Sequence, residues 1–274
     1  MLLPSRVHTT AYRDDGGAAP LLLVQPQYRR GGEWLALAQR ANLSFEALEP
    51  SAQPALNDPS LLADCVKWYG DCGRVRSLHG VFIDNNPASG DLDIRRISRE
   101  SCAKSCVLAQ RLNTQSIIFH SSAFPFLRGE YLSRWTAETA DFFMALTERY
   151  GVTVCLENSA DLDPEPLLGV MRRTENAQIR VCLDVGHAHY SQVSLERWFD
   201  TLGAYIDRLH LSDNGGSFDD HLPLGEGTVD WAQADRLWRA YGRPSPLTIE
   251  VGGVAGVEQS LQYLRTHGYF GQEG

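Results

Sequence analysis

The chain has 274 residues, 43% of them hydrophobic, and a formal net charge of −9. That is enough apolar material for a substantial core, and one (β/α)8 barrel of about 250 residues fits the length without a second domain. The acidic balance gives no general attraction to phosphate backbones or anionic lipid. The opening MLLPSRVHTT lacks the apolar core of a signal peptide, and no stretch approaches the roughly 20 apolar residues of a membrane span. A cytoplasmic protein with no membrane association is expected. Cys65, Cys72, Cys102, Cys106, Cys155 and Cys182 form no CxxC pair, and several lie inside apolar runs such as VTVCLEN and IRVCLDV. Buried free thiols are expected rather than a disulfide framework.

In chain order, short apolar runs alternate with amphipathic stretches. LLLVQPQ (21–27) with EWLALAQRA predicts a first strand–helix unit, with MLLPSRV (1–7) as the rival first strand. LSFEALE (43–49) precedes helical LLADCVKWYG, and RVRSLHGVF (74–82) precedes ISRESCAKSCVLAQRLN. SIIFHSS (116–122) leads into LSRWTAETADFFMALTERYG, and VTVCLENS (152–159) into PEPLLGVMRRTE. IRVCLDVGHAH (179–189) precedes SLERWFDTLGAY, and IDRLHLSDN (206–214) precedes, after a loop, DWAQADRLWRAYG. PLTIEV (246–251) with GVEQSLQYLRTHG closes the series. Near-continuous apolar strands alternating with helices imply a parallel sheet covered by helices. Eight such units favour closure into a single α/β (β/α)8 TIM barrel spanning residues 1–274, with the first 20 residues irregular.

Metal-ligand residue types recur at one place in this pattern, the C-terminal end of each strand. His79 ends the third strand, His120 the fourth and Glu157 the fifth. Asp184 and His187 end the sixth, His210 the seventh and Glu250 the eighth, with Asp219 and His221 in the loop after His210. A closed barrel brings those ends to one rim, where active sites of this fold lie. Burying Asp184, Glu157 and Glu250 together is costly unless cations neutralise them. Any single histidine here could be a satisfied core residue, but nine ligand types at equivalent positions point to a metal site. Imidazole mixed with carboxylate suits zinc, manganese or iron better than calcium.

Asn85, Asn158 and Asn214 adjoin these residues and can bind a substrate, orient a ligand or simply form turns. His189 shares a face with His187 if the strand stays extended, which makes it a candidate substrate contact. Gly225 and Gly227 in HLPLGEGTVDW fit a tight turn. Arg95, Arg96 and Lys104 after the third strand read as a solvated helix face or as an anion site. The chain has no GxxxxGK[ST] loop, no GxGxxG between a strand and a helix, and no GxSxG elbow.

The segments SLHGVFIDNN, IIFHSS, VCLENS, CLDVGHAH, LHLSDN, DDHLPLGEGTVDW and LTIEV resemble the xylose isomerase-like barrel superfamily, over about residues 43–265. That superfamily holds sugar isomerases and epimerases, sugar-acid dehydratases and the endonuclease IV group, also called AP endonuclease family 2. The isomerase and epimerase branch implies one divalent cation on Glu157, Asp184, His210 and Glu250, with Glu157 and Glu250 moving a proton on and off carbon. The endonuclease IV branch implies up to three zinc ions. His79 and His120 would hold the first, with Glu157 bridging to a second completed by Asp184, His210 and Glu250. His187, Asp219 and His221 would hold the third. This fuller ligand set favours zinc-dependent phosphoester hydrolysis, with isomerisation or epimerisation of a sugar or sugar phosphate on one ion, manganese or zinc, as the alternative. Two departures stand against DNA repair. The fourth-strand motif reads FHSSAF where that group has a proline–glycine turn and a second histidine, and the first strand shows no clear counterpart of its early histidine. No basic, aromatic-bearing rim loops stand out in the sequence. A small phosphorylated or polyhydroxylated molecule is therefore expected, not duplex DNA.

Overall fold

The structure, a computed structural model, describes residues 20–175 and 178–273. In chain order it comprises β1 (Leu22–Val24), α1 (Gly31–Ala41), β2 (Ser44–Ala47), α2 (Gln53–Leu56) and α3 (Pro59–Asp71). Then come β3 (Val75–His79), α4 (Leu92–Arg111), β4 (Ser116–His120), α5 (Gly129–Tyr150), β5 (Thr153–Glu157) and α6 (Glu165–Thr174). The last third holds β6 (Ile179–Asp184), α7 (Val185–Tyr190), α8 (Leu195–Leu202), β7 (Ile206–Leu211), α9 (Trp231–Ala240), β8 (Leu247–Ile249) and α10 (Gly253–His267).

The strands close in sequence order into one parallel barrel, β1 pairing with β8 as well as with β2. The first strand therefore comes from LLLVQPQ, and MLLPSRV lies outside the described residues. Helix starts follow from the sequence. Asp58 accepts from Ser60 N and Leu61 N ahead of α3, Asp91 from Asp93 N and Ile94 N ahead of α4, and Asp230 from Gln233 N ahead of α9. Each satisfies amides that an unfinished helical ladder leaves open.

Between strands and helices lies an apolar layer that includes Trp34, Phe45, Phe119, Phe143, Trp198, Phe199 and Trp238, all buried. Inside the barrel the layer under the rim is polar: Glu46, Ser77, Arg208 and Thr248 are buried there beside Ile118, Cys155 and Cys182. The six cysteines are free thiols, five of them buried and Cys72 half-buried.

The sixth strand ends sooner than the sequence pattern suggests. Residues 185–190 turn into α7, because Asp184 Oδ1 accepts the His187 amide at 2.6 Å and caps a helix. Gly186 permits the turn, since a Cβ there would lie 2.5 Å from Ser212 Oγ and 3.0 Å from its carbonyl on the adjacent chain segment. His187 and His189 consequently do not share a strand face.

Candidate metal centre

Strand register fixes the floor of the centre. His120 stands opposite Glu157 across β4–β5, and Asp184 opposite His210 across β6–β7. His79 ends β3, and Glu250 lies one residue beyond β8. Among the described residues four groups of donor atoms result, each with its atoms within 4.8 Å of one another: His79, His120 and Glu157; Glu157, Asp184, His210 and Glu250; Glu157, Cys182 and His210; and His187, Asp219 and His221. All nine residues of the sequence pattern meet at one mouth, and Glu157 belongs to three of the groups.

Ring orientation reveals what the groups lack. His79 Nδ1 lies 3.0 Å from the Gly80 carbonyl, His187 Nδ1 2.7 Å from the Asn158 carbonyl, and His221 Nδ1 2.8 Å from the Glu250 carbonyl. A carbonyl can only accept, so each Nδ1 carries the proton and each Nε2 presents a lone pair when the ring is neutral. Those lone pairs face carboxylate oxygens: His79 Nε2 is 3.3 Å from Glu157 Oε2, while His187 and His221 Nε2 are 3.1 and 3.0 Å from Asp219 Oδ2. Two lone pairs at such distances repel unless a proton or a cation lies between them. Protonation is the answer metal-free electrostatics gives. Burial opposes the charge, but the neighbouring carboxylates outweigh it and hold His79 and His187 above the usual imidazole value and His221 up at about 10.

The carboxylates show the complementary stress. Burial, reinforced by Glu157 and Glu250, pushes Asp184 up to about 6 even with His187 opposing. Burial also pushes on Glu157, but His210 and His120 outweigh it and keep that carboxylate low. Burial, with repulsion from His79 and His187, brings His120 down to about 4, so this ring is neutral near pH 7. Among the described residues, buried Glu157 Oε2, Asp184 Oδ2, His210 Nε2 and Glu250 Oε2 find no aligned hydrogen-bond partner. Several have close neighbours, such as Glu250 Oε2 at 2.8 Å from His210 Nδ1, but off the line of a hydrogen bond. Orphaned, tightly spaced carboxylate oxygens beside an imidazole fit a divalent cation.

The supporting residues are more specialised than the sequence reveals. Asn158 commits its amide to the Asp184 backbone, donating to the carbonyl at 3.0 Å and accepting from the amide at 2.8 Å. Asn214 donates to Gly186 O and accepts from Gly216 N, both at 2.8 Å. Both asparagines thus bond main-chain groups of the segments around the centre. Asn85 donates to Cys102 Sγ at 3.3 Å, with its buried Oδ1 left without a partner. His189 is turned away by α7 and bonds Thr228 Oγ1 at 2.9 Å, in a separate cleft with Gln192 and Gly216. Arg95 and Arg96 pair with Glu138 and Glu100 on the outside of the barrel.

Asp213 organises the loop that carries Asp219 and His221. Its carboxylate accepts from Asn214 N, Val229 N, Gly225 N and Trp231 Nε1, at 2.8 to 3.1 Å. Gly227 is required there, since a Cβ would meet Asp213 Oδ1 at 2.2 Å and the Asn214 carbonyl at 2.4 Å. His221 itself adopts φ 48°, a left-handed conformation that its Nδ1 bond to Glu250 helps to hold.

Sequence reasoning missed Glu46. It is fully buried in β2, 3.2 Å from His210 Nε2, and accepts from Gln25 Nε2, Ser77 Oγ and Thr248 Oγ1. Burial would raise it, but His210 and His79 outweigh that and hold it at about 2. LSFEALE also holds Glu49, and no motif tells the two apart. The rim differs from expectation as well. Phe124 and Phe126, stacked edge to face in the loop after β4, and Phe218 in the loop after β7 are exposed, so the rim loops do bear aromatic residues. Isolated phenylalanines outside any periodic pattern give no sequence signal of exposure.

Comparison with known proteins agrees with this architecture. Residues 36–267 match the family described as xylose isomerase-like TIM barrel. An uncharacterized protein of Methanocaldococcus jannaschii is 24% identical over 201 residues, 69% of each chain. A D-tagatose 3-epimerase-like protein superposes with a TM-score of 0.71 at 19% identity, covering 90% of this chain and 96% of the other. A Thermus thermophilus protein soaked with zinc chloride gives 0.72 at 22% identity, with the same coverage of 90% and 96%. Other structures sharing the fold are named as a D-psicose 3-epimerase and an L-ribulose 3-epimerase. At these identities structural likeness speaks for the fold alone, whereas the family match spans most of the sequence. The chain belongs to the xylose isomerase-like TIM barrel family.

Proposed function

We propose that this protein is a divalent-metal-dependent isomerase or epimerase acting on a small polyhydroxylated molecule, a sugar or sugar phosphate. The observation that carries the reading is the four-residue group of Glu157, Asp184, His210 and Glu250, with an orphaned oxygen on each of its three carboxylates. Zinc or manganese suits this mixture of imidazole and carboxylate. When bound, such a cation supplies Lewis-acid polarisation of neighbouring substrate oxygens. The chain's own part is proton transfer. Glu157 Oε2 and Glu250 Oε2 have no aligned hydrogen bond, so each can accept a proton from, or return one to, a substrate carbon beside a carbonyl. The burial of Glu157, Asp184 and His210 excludes bulk water from this exchange. The epimerase names among proteins of the same fold move this reading ahead of the hydrolytic one that the ligand count alone suggests.

A second reading, phosphoester hydrolysis, draws on a specific observation. The His79–His120–Glu157 and His187–Asp219–His221 groups add ligands that a single-ion proton transfer does not use. On either reading a small molecule is the proposed substrate rather than duplex DNA, given the net charge of −9.

Solvent deuterium exchange decides between them. Zinc- or manganese-loaded protein is expected to place deuterium at the carbon beside the carbonyl of a ketose or aldose. Exchange should survive in His120→Ala, whose ring belongs only to the extra group. Absence of exchange across a broad sugar panel, together with two or three tightly held ions per chain, would transfer the assignment to hydrolysis.

A further inference from the structure

His210 is oriented differently from its neighbours. In His79, His187 and His221 Nδ1 is bonded to a main-chain carbonyl, although His187 Nδ1 also stands 3.5 Å from Glu157 Oε1. In His210 it is Nδ1 that faces the carboxylates, 2.8 Å from Glu250 Oε2 and 3.2 Å from Glu157 Oε1. Its rear nitrogen is Nε2, and the group standing there is a side chain, Glu46, with Oε1 at 3.2 Å.

Glu46 is held in place by donors from three neighbouring segments. Gln25 Nε2, just past β1, donates to Oε1 at 3.0 Å. Ser77 Oγ on β3 donates to Oε2 at 2.8 Å, and Thr248 Oγ1 on β8 at 3.3 Å. A carboxylate offers about four acceptor sites. Three are filled, and the remaining one lies on the side of His210. The ring N–H line misses Oε1, so the pair is a close contact, while the aligned hydrogen bond of this ring runs between Nδ1 and Glu157 Oε1, where a bound cation would take the place of the proton.

We propose that Glu46 is a positioning residue: it fixes His210 as the Nε2–H tautomer, so that the Nδ1 lone pair is presented to the cation shared with Glu157, Asp184 and Glu250. The inference rests on the metal-binding part of the proposed function and adds to it a residue outside the ligand set. A buried carboxylate behind a ligating imidazole restricts its tautomer and raises its basicity. A neutral amide accepts the same N–H with less effect on basicity, which makes Glu46→Gln the informative change.

The experiment titrates zinc against a chromophoric chelator with the wild-type chain and Glu46→Gln, and records ring 15N spectra of the zinc-loaded wild type. Glu46→Gln is expected to weaken zinc binding about 10–100-fold. The His210 ring is expected to show the metal on Nδ1 and a proton on Nε2 shifted downfield by the Glu46 carboxylate, and that shift should shrink in Glu46→Gln, a change that a merely packing role would not produce. Unchanged affinity in Glu46→Gln, or a proton on Nδ1 of His210, overturns the proposal and leaves the metal centre standing. A wild-type chain that takes up no zinc overturns both. If Glu46→Gln fails to fold, the Nε2–H proton of His210 in the zinc-loaded wild type decides instead: a downfield shift marks its hydrogen bond to the carboxylate, and an unshifted resonance overturns the proposal.

Discussion

Glu157 Oε1 lies 3.2 Å from His210 Nδ1, and both side chains are buried. The other oxygen of the same carboxylate faces His79 and His120, at 3.3 and 3.8 Å from their Nε2 atoms. One side chain thus joins the His79–His120 pair to the group around His210, and a single change to it tests both. Glu157→Gln keeps the volume and removes the charge. We predict loss of tightly bound metal and a fall in turnover of about 10²–10⁴-fold on either chemistry. Metal analysis by mass spectrometry, paired with steady-state kinetics, checks it; full metal content with normal turnover would remove Glu157 from the centre.

Metal affinity should rise with pH. Asp184 is raised to about 6 by burial and by Glu157 and Glu250. His221 reaches about 10, because Asp219 and Glu250 outweigh the burial that would lower it. Both values lie above those of the free groups, so protons compete for the donors up to those pH values and must leave when metal binds. The zinc dissociation constant is predicted to fall as pH increases from about 6 to about 9. Isothermal titration in buffers of different ionisation enthalpy should register proton release near pH 7. Flat affinity with no proton release would contradict the donor assignment.

Asp213 makes a prediction about stability rather than chemistry. Asp213→Ala strands four donors, Asn214 N, Gly225 N, Val229 N and Trp231 Nε1, of which the last packs in the buried core. The cost is expected to be about 2–4 kcal/mol, since part of the loop can rehydrate. Denaturant unfolding measures it. Limited proteolysis should find its first cut within 214–230, the segment carrying Asp219 and His221. A change below about 0.5 kcal/mol with no new cleavage would show that the loop is held by other contacts.

The linear sequence determined the barrel and most of its centre. Near-continuous apolar runs alternating with amphipathic helices leave few topologies, and strand-end residues converge in a closed barrel whatever the details of packing. His79, His120, Glu157, Asp184, His210 and Glu250 were legible for that reason: their positions follow from counting strands. Tertiary structure alone decided what side chains do across strands. That Asn158 bonds the Asp184 backbone, that His189 turns away from His187 on α7, and that Glu46 rather than Glu49 stands behind His210 depend on register, capping and ring orientation. Those are properties of contacts between segments as much as 164 residues apart in the case of Glu46 and His210, and no local pattern encodes them.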